Sequence, residues 1–242
     1  MPSKKKEKKE IASCVERISS GVFGLDKNIS DGFVKGSVNL LTGGPGTGKS
    51  IFAMQFLNYG AENNEPGLYV SFEEDLESLA LDAKVFSWDF SEHIKQKKMR
   101  FIYLYPYEMQ NFLKEIEDNV KAIGAKRVVI DSISNFAMAF ESDYEVRKEL
   151  YALINTLKKL GVTSVLTSEI GSADPVDADN KLSRFGVAEF VCDTVITLHF
   201  GALGGMADRA VRIMKMRRTD QTKGPIPMII GKHGIEILKK EF

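Results

Sequence analysis

Gly43-Gly44-Pro45-Gly46-Thr47-Gly48-Lys49-Ser50 satisfies the pattern G-x-x-x-x-G-K-[ST] without a gap, and the apolar run Ser37-Val38-Asn39-Leu40-Leu41-Thr42 before it reads as the strand that pattern requires. Glycines at these positions let backbone N–H groups turn inward around phosphate oxygens, and a helix starting near Gly48 brings its positive dipole end to the same spot. The stretch Ile51, Phe52, Met54, Phe56 and Leu57 predicts that this helix is amphipathic. Gly43 through Ser50 therefore form a phosphate-binding loop, with Lys49 directed at the β- and γ-phosphates and the Ser50 hydroxyl at Mg²⁺.

Working outward, short apolar runs alternate with helical periodicity, which predicts an α/β fold with a mostly parallel sheet covered by helices on both faces. Strands are expected at Gly67–Ser71, Arg100–Leu104, Arg127–Asp131 and Thr163–Thr167, with helices at Leu76–Phe86, Gln110–Ile123 and Tyr144–Leu160. From Val191 on, β-rich segments at Asp193–His199, Ala210–Met216, Pro227–Ile230 and Ile235–Leu238 are separated by Gly-rich turns, predicting antiparallel hairpins at one sheet edge. The polar stretch Gly171–Arg184 reads as an exposed loop.

The chain has 242 residues, 43% of them hydrophobic, enough for one domain with a large core. Lys4 to Glu10 are all Lys or Glu, so residues 1–10 are expected to be a flexible tail ahead of a single domain at 11–242. With 33 basic and 33 acidic residues the net charge is zero, and no global field draws the chain to nucleic acid or membrane. Cys14 and Cys192 are too few for a disulfide framework, and no apolar run reaches the roughly 18 residues of a membrane span. Cytoplasmic placement without membrane insertion is the expectation.

Val128-Val129-Ile130-Asp131-Ser132 is an apolar strand ending in a carboxylate at the edge where ligands gather in parallel sheets. Asp131 suits Mg²⁺ alongside Ser50, directly or through water, because a hard cation prefers oxygen donors. Glu73 and Glu74 follow the strand Gly67–Ser71; they serve either to polarise an attacking water or, with Asp75 and Glu77, to open a helix. Thr167-Ser168-Glu169 either senses the γ-phosphate or closes a polar turn. In Lys215-Met216-Arg217-Arg218-Thr219, the basic side chains either stabilise charge on transferring phosphoryl oxygens or form a solvated hairpin tip.

Taken together, these residues resemble a KaiC-type ATPase of the RecA superfamily, over nearly the whole chain from Arg17 to Leu238. The resemblance is carried by Ser20-Gly21-Val22-Phe23-Gly24-Leu25-Asp26, the phosphate loop, Ser71-Phe72-Glu73-Glu74, Ser87-Trp88-Asp89 and Val128–Ser132. It continues through Thr167–Glu169, Arg184–Asp193, Lys215–Thr219 and His233-Gly234. It implies a RecA-like fold, ATP and Mg²⁺ as ligands, Glu73 and Glu74 as the water-activating pair, and Lys215 and Arg217 reaching the γ-phosphate of a neighbouring copy. Thr219 and His233 would line the same inter-subunit site, in a ring that is usually a hexamer.

Three departures from the family pattern stand out. Glu189 and Phe190 occupy the place of a self-phosphorylated Ser-Thr pair and cannot accept a phosphoryl group, so the resemblance implies hydrolysis rather than autokinase activity. Arg218 replaces a usual glycine, and Lys232 replaces an Asp before His233. The implied function is a nucleotide-controlled ring ATPase with a regulatory role, acting on a protein partner that the residues do not specify. A slowly hydrolysing, nucleotide-gated interaction module needs the same loop. A DNA-binding recombinase paralogue is the third reading, and neutral charge with no evident helix-hairpin-helix disfavours it.

Overall fold

The computed structural model describes residues 15–105, 109, 111–170, 182–183, 186–201 and 208–238. The Lys/Glu tail and nearly all of the Gly171–Arg184 loop lie outside the described residues.

A nine-stranded sheet runs β11-β10-β9-β8-β3-β7-β6-β4-β5, built from β3 (Val38–Gly43), β4 (Gly67–Ser71), β5 (Met99–Tyr103), β6 (Arg127–Asp131), β7 (Thr163–Glu169), β8 (Thr194–Phe200), β9 (Arg209–Met216), β10 (Ile226–Gly231) and β11 (Gly234–Ile237). From β8 to β5 all neighbours are parallel, whereas β9, β10 and β11 add on in antiparallel fashion. The mostly parallel sheet with terminal antiparallel hairpins is thus the expected one, and β4 and β6 coincide residue for residue with the strands read from the sequence. A separate ribbon pairs β1 (Arg17–Ile18) with β2 (Phe33–Val34).

Two apolar clusters sandwich the sheet. On one face Leu41, Tyr69, Val129, Val165 and Ile196 meet α1 (Lys49–Glu62), α2 (Leu76–Val85), α3 (Phe90–Lys95) and the segment containing Val22, Leu25 and Ile29. On the other, Leu40, Val70, Ile130 and Leu166 meet α4 (Phe112–Ile123), α5 (Ile133–Phe136), α6 (Asp143–Leu160) and α7 (Ala188–Val191). Successive strand residues point to opposite faces, and both faces are covered, so β3, β4 and β6 are buried at every position.

The phosphate-loop helix departs from expectation. Instead of an amphipathic pattern, α1 buries Phe52, Ala53, Met54, Gln55, Phe56, Leu57, Asn58, Gly60 and Ala61, nearly its whole circumference. It lies between the sheet and a cover made by the amino-terminal segment and β11, so no stripe faces solvent. Gln55 makes this possible: its side-chain NH₂ donates to Gly21 O (2.9 Å) and Ile235 O (3.1 Å), while its Oε1 accepts from Ile235 N (2.7 Å). A buried amide with both ends satisfied escapes the desolvation penalty of an orphaned polar group.

Candidate functional site

The phosphate loop leaves β3 at the carboxyl edge of the sheet, where β4, β6 and β7 also end. Gly43 is pressed there: a Cβ would stand 2.6 Å from Leu198 O and 2.7 Å from Thr47 Oγ1. Gly48, at φ +100°, supplies the left-handed turn that starts α1. Nothing approaches within 4 Å of where a Cβ would sit on Gly44 or Gly46, so the outer face of the loop is open, while Thr47 braces it through a 2.8 Å bond to Gly44 O. Pro45 is exposed at the tip. Open backbone above a helix N-terminus fits a polyphosphate.

Lys49 folds back onto this loop, its Nζ donating to Gly43 O and Gly44 O at 3.0 Å each. Burial lowers its pKa, opposed by the negative charges of Asp131, Glu169 and Glu73. Asp131 is buried at the end of β6. Its Oδ2 accepts from the Tyr69 hydroxyl at 2.5 Å and its Oδ1 from the Thr167 hydroxyl. Burial, with the Asp131 charge next, pushes the Tyr69 hydroxyl far above its ordinary pKa, so it stays a donor. Tyr69 was not signalled by the sequence, where it is one more apolar residue of a buried strand.

Thr167 is committed to Asp131, leaving the rest of the expected sensor segment to Ser168, 3.4 Å from Ser134 Oγ, and Glu169, whose N–H donates to Ser134 at 2.9 Å. Among the described residues no group of three or more His, Cys, Asp or Glu side chains could hold a metal. A single carboxylate whose two oxygens already accept hydrogen bonds, with the Ser50 hydroxyl, fits Mg²⁺, which keeps several waters and draws its remaining donors from phosphates.

Glu73 and Glu74 are exposed just past β4. The Ser71 hydroxyl accepts from both of their N–H groups and donates to Glu74 O at 2.6 Å, fixing their approach. The helix-opening role falls instead to Asp75, which accepts from Ser78 N at 2.8 Å as the cap of α2. Although the residue is exposed as a whole, partial desolvation of its carboxyl, then the charges of Asp82, Asp131 and the adjoining acids, raises the Glu74 pKa.

Lys215, Arg217 and Thr219 lie elsewhere. Strand β9 runs antiparallel to β8, with Met216 opposite Thr194, so these residues cluster at the amino-terminal edge of the parallel strands. Gly43 pairs with Leu198, four residues further along β8; at about 3.3 Å per residue, Arg217 sits roughly 15 Å or more from the phosphate loop and on the opposite rim. Arg217 approaches Asp193 at 3.8 Å, in a concavity shared with Lys35, Lys158 and Arg218. Lys215 donates to the carbonyls of Glu189, Phe190 and Cys192. Burial, then the Arg217 charge, lowers its pKa. Thr219 accepts from Arg17 and donates to Arg217 O at 3.2 Å. His233 is on the carboxyl side, in the turn between β10 and β11, where it lines a cleft with Gln55, Asn58, Tyr59, Ser87 and Trp88. Thr219 and His233 therefore do not share a site within one chain.

Glu189 is buried, accepting from Leu182 N at 3.2 Å and from the Ser183 hydroxyl. Phe190 is 71% exposed.

Residues 18–242 match the family model described as "ATPase: KaiC". The circadian clock oscillator protein KaiC of Parasynechococcus marenigrum (strain WH8102) is 33% identical over 234 residues, covering 92% of this chain and 45% of that protein. Circadian clock protein KaiC3 of Synechocystis sp. (strain ATCC 27184 / PCC 6803 / Kazusa) is 31% identical over 93% of this chain and 46% of its own length. The chain thus spans about half the length of these clock proteins. The crystal structure of a KaiC-like protein from Pyrococcus horikoshii OT3 superposes with a TM-score of 0.84 at 40% identity, covering 93% of this chain and 100% of that one. Membership follows from the family match along almost the entire sequence together with the nucleotide-binding loop and sheet order just described: the chain belongs to the KaiC-like ATPases of the RecA superfamily.

Proposed function

We propose that this protein is a Mg²⁺-dependent ATP hydrolase whose sites are completed between copies of the chain, in a ring of six whose assembly nucleotide controls. The observation that carries the reading is the placement of Lys49 and Arg217 on opposite rims of one sheet. A head-to-tail contact brings the rim bearing Arg217 against the next copy's phosphate loop, and such a contact, repeated with a rotation that closes after six copies, makes the ring.

In this reading the loop amides and Lys49 hold the triphosphate, Lys49 exchanging the carbonyls of Gly43 and Gly44 for phosphate oxygens. Glu73 or Glu74 takes a proton from water as its oxygen attacks the γ-phosphorus, and ADP departs as the bridging P–O bond breaks. Ser50 and Asp131 would hold Mg²⁺, which when bound neutralises charge on the β- and γ-phosphate oxygens. Arg217, with Lys215 once it leaves its carbonyls, stabilises the charge of the transition state from the neighbouring copy. A regulatory or signalling role, through a protein partner that reads the assembled state, accords with relatives named as circadian clock proteins.

Turnover at saturating MgATP, measured with solution mass over a dilution series, tests the reading. Specific activity should fall as the assembly dissociates. A chain that stays monomeric with ATP, or hydrolyses at a rate per chain independent of dilution through dissociation, would overturn it.

A further inference from the structure

We propose that Arg17 is a positioning residue for the trans-acting Arg217, holding the turn that carries it in a fixed place on the assembly rim. This deepens the reading above and rests on it.

The Arg17 guanidinium joins two parts of the chain that are far apart in sequence. Its Nη1 donates to Ile29 O (3.2 Å) and Gly32 O (2.9 Å) on the amino-terminal side, and to Thr219 Oγ1 (3.1 Å). Its Nη2 donates to Arg218 O (2.8 Å) and again to Thr219 Oγ1 (3.2 Å). A planar fork with fixed donor directions makes such a bridge; a lysine ammonium offers a single point of attachment.

The turn needs the restraint. Arg218 has φ +57°, a left-handed conformation that an L residue other than glycine adopts unfavourably, so this backbone persists only where its surroundings hold it. Two further contacts follow the same seam: Ser30 Oγ donates to Asp220 O at 3.1 Å and Thr222 N to Asn28 O at 2.9 Å. The β1–β2 ribbon and the loop within it thus form a splint along residues 218–222, and Arg17 donates to two acceptors in that splint and two in the turn it holds. Arg217, one residue before the splinted turn, has an exposed side chain beside Asp193, free to be presented outward. A misplacement of about 1 Å in a group that acts on the transition state costs on the order of 100-fold in rate.

Subunit mixing separates this role from a merely structural one. Arg17→Gln alone should lower kcat about 10- to 100-fold, with KM for ATP changed less than about threefold and the nucleotide-dependent assembly mass the same. Arg17→Lys should fall between it and the parent chain, and carries the test if Arg17→Gln does not fold. Each is then mixed with Lys49→Ala chains, which lack a working phosphate loop but keep an intact Arg217 turn. Restored hydrolysis is expected, because Lys49→Ala presents the Arg217 that the Arg17 variant's loop requires. If Arg217→Ala mixed with Lys49→Ala regains activity and neither Arg17 variant does, Arg17 has no positioning role. If the Arg217→Ala mixture also stays inactive, the trans reading itself fails, and the proposal with it. Wild-type kcat in both Arg17 variants overturns the proposal too.

Discussion

The Tyr69 hydroxyl donates a 2.5 Å hydrogen bond to Oδ2 of Asp131, from a side chain wholly buried in the adjacent strand. A hydrogen bond to a charged group contributes more than a neutral one, so Tyr69→Phe should lower unfolding free energy by about 1.5–3 kcal/mol in urea denaturation. Thr167→Val, which removes the donor to Oδ1, should act in the same direction. If Asp131 holds Mg²⁺, either change should also alter Mn²⁺ affinity in the nucleotide complex, read by electron paramagnetic resonance.

Arg217→Ala should leave ATP binding to the single chain intact, since Arg217 lies across the sheet from the loop, yet reduce turnover on the order of 10³-fold or more. Lys49→Ala should instead weaken binding itself. Isothermal titration with a non-hydrolysable ATP analogue, beside steady-state turnover, separates the two; equal loss of affinity in both variants would contradict the opposed placement.

The raised pKa of Glu74 gives a pH signature. A base acts only when ionised, so if Glu74 is the base, kcat falls as pH drops through a value above that of an ordinary glutamate, and Glu74→Gln loses this limb with about 10²- to 10⁴-fold in rate. If Glu73 is the base, Glu74→Gln keeps most activity and Glu73→Gln does not. In linkage terms the folded chain binds the Glu74 proton more tightly than the unfolded chain. The resulting penalty to folding is present above the folded pKa and fades as pH falls toward the unfolded value.

Arg218→Gly should stabilise the chain by about 0.5–1 kcal/mol, because glycine adopts the φ of +57° without a Cβ clash while the carbonyl that receives Arg17 remains. Urea midpoints of the two proteins check this.

Arg127 is fully buried, with Nε 2.7 Å from Glu65 Oε2 and Nη1 donating to Ser19 O and Phe56 O. Arg127→Met should cost about 3 kcal/mol in urea denaturation, and Arg127→Met with Glu65→Leu should recover part of it, since removing one partner alone strands the other's charge.

What sequence alone determined here is what a dozen consecutive residues can impose. The loop Gly43–Ser50, the strands Gly67–Ser71 and Arg127–Asp131, and the position of Asp131 at a strand end follow from backbone sterics and local apolar patterning. Glu73 and Glu74 were legible as strand-end acids, but only the tertiary structure shows that Asp75, rather than either glutamate, accepts the capping bond of the helix that follows. Tertiary structure decided everything that depends on strand order. The antiparallel turn of β9 carries Arg217 to the far rim, the cover by β11 buries α1 on all sides, and Thr167 and Tyr69 become partners of Asp131 from two neighbouring strands. Arg17 and Thr219 meet across 202 positions of sequence. Contacts of that kind arise from the closure of long loops around a shared core, and no local periodicity encodes them.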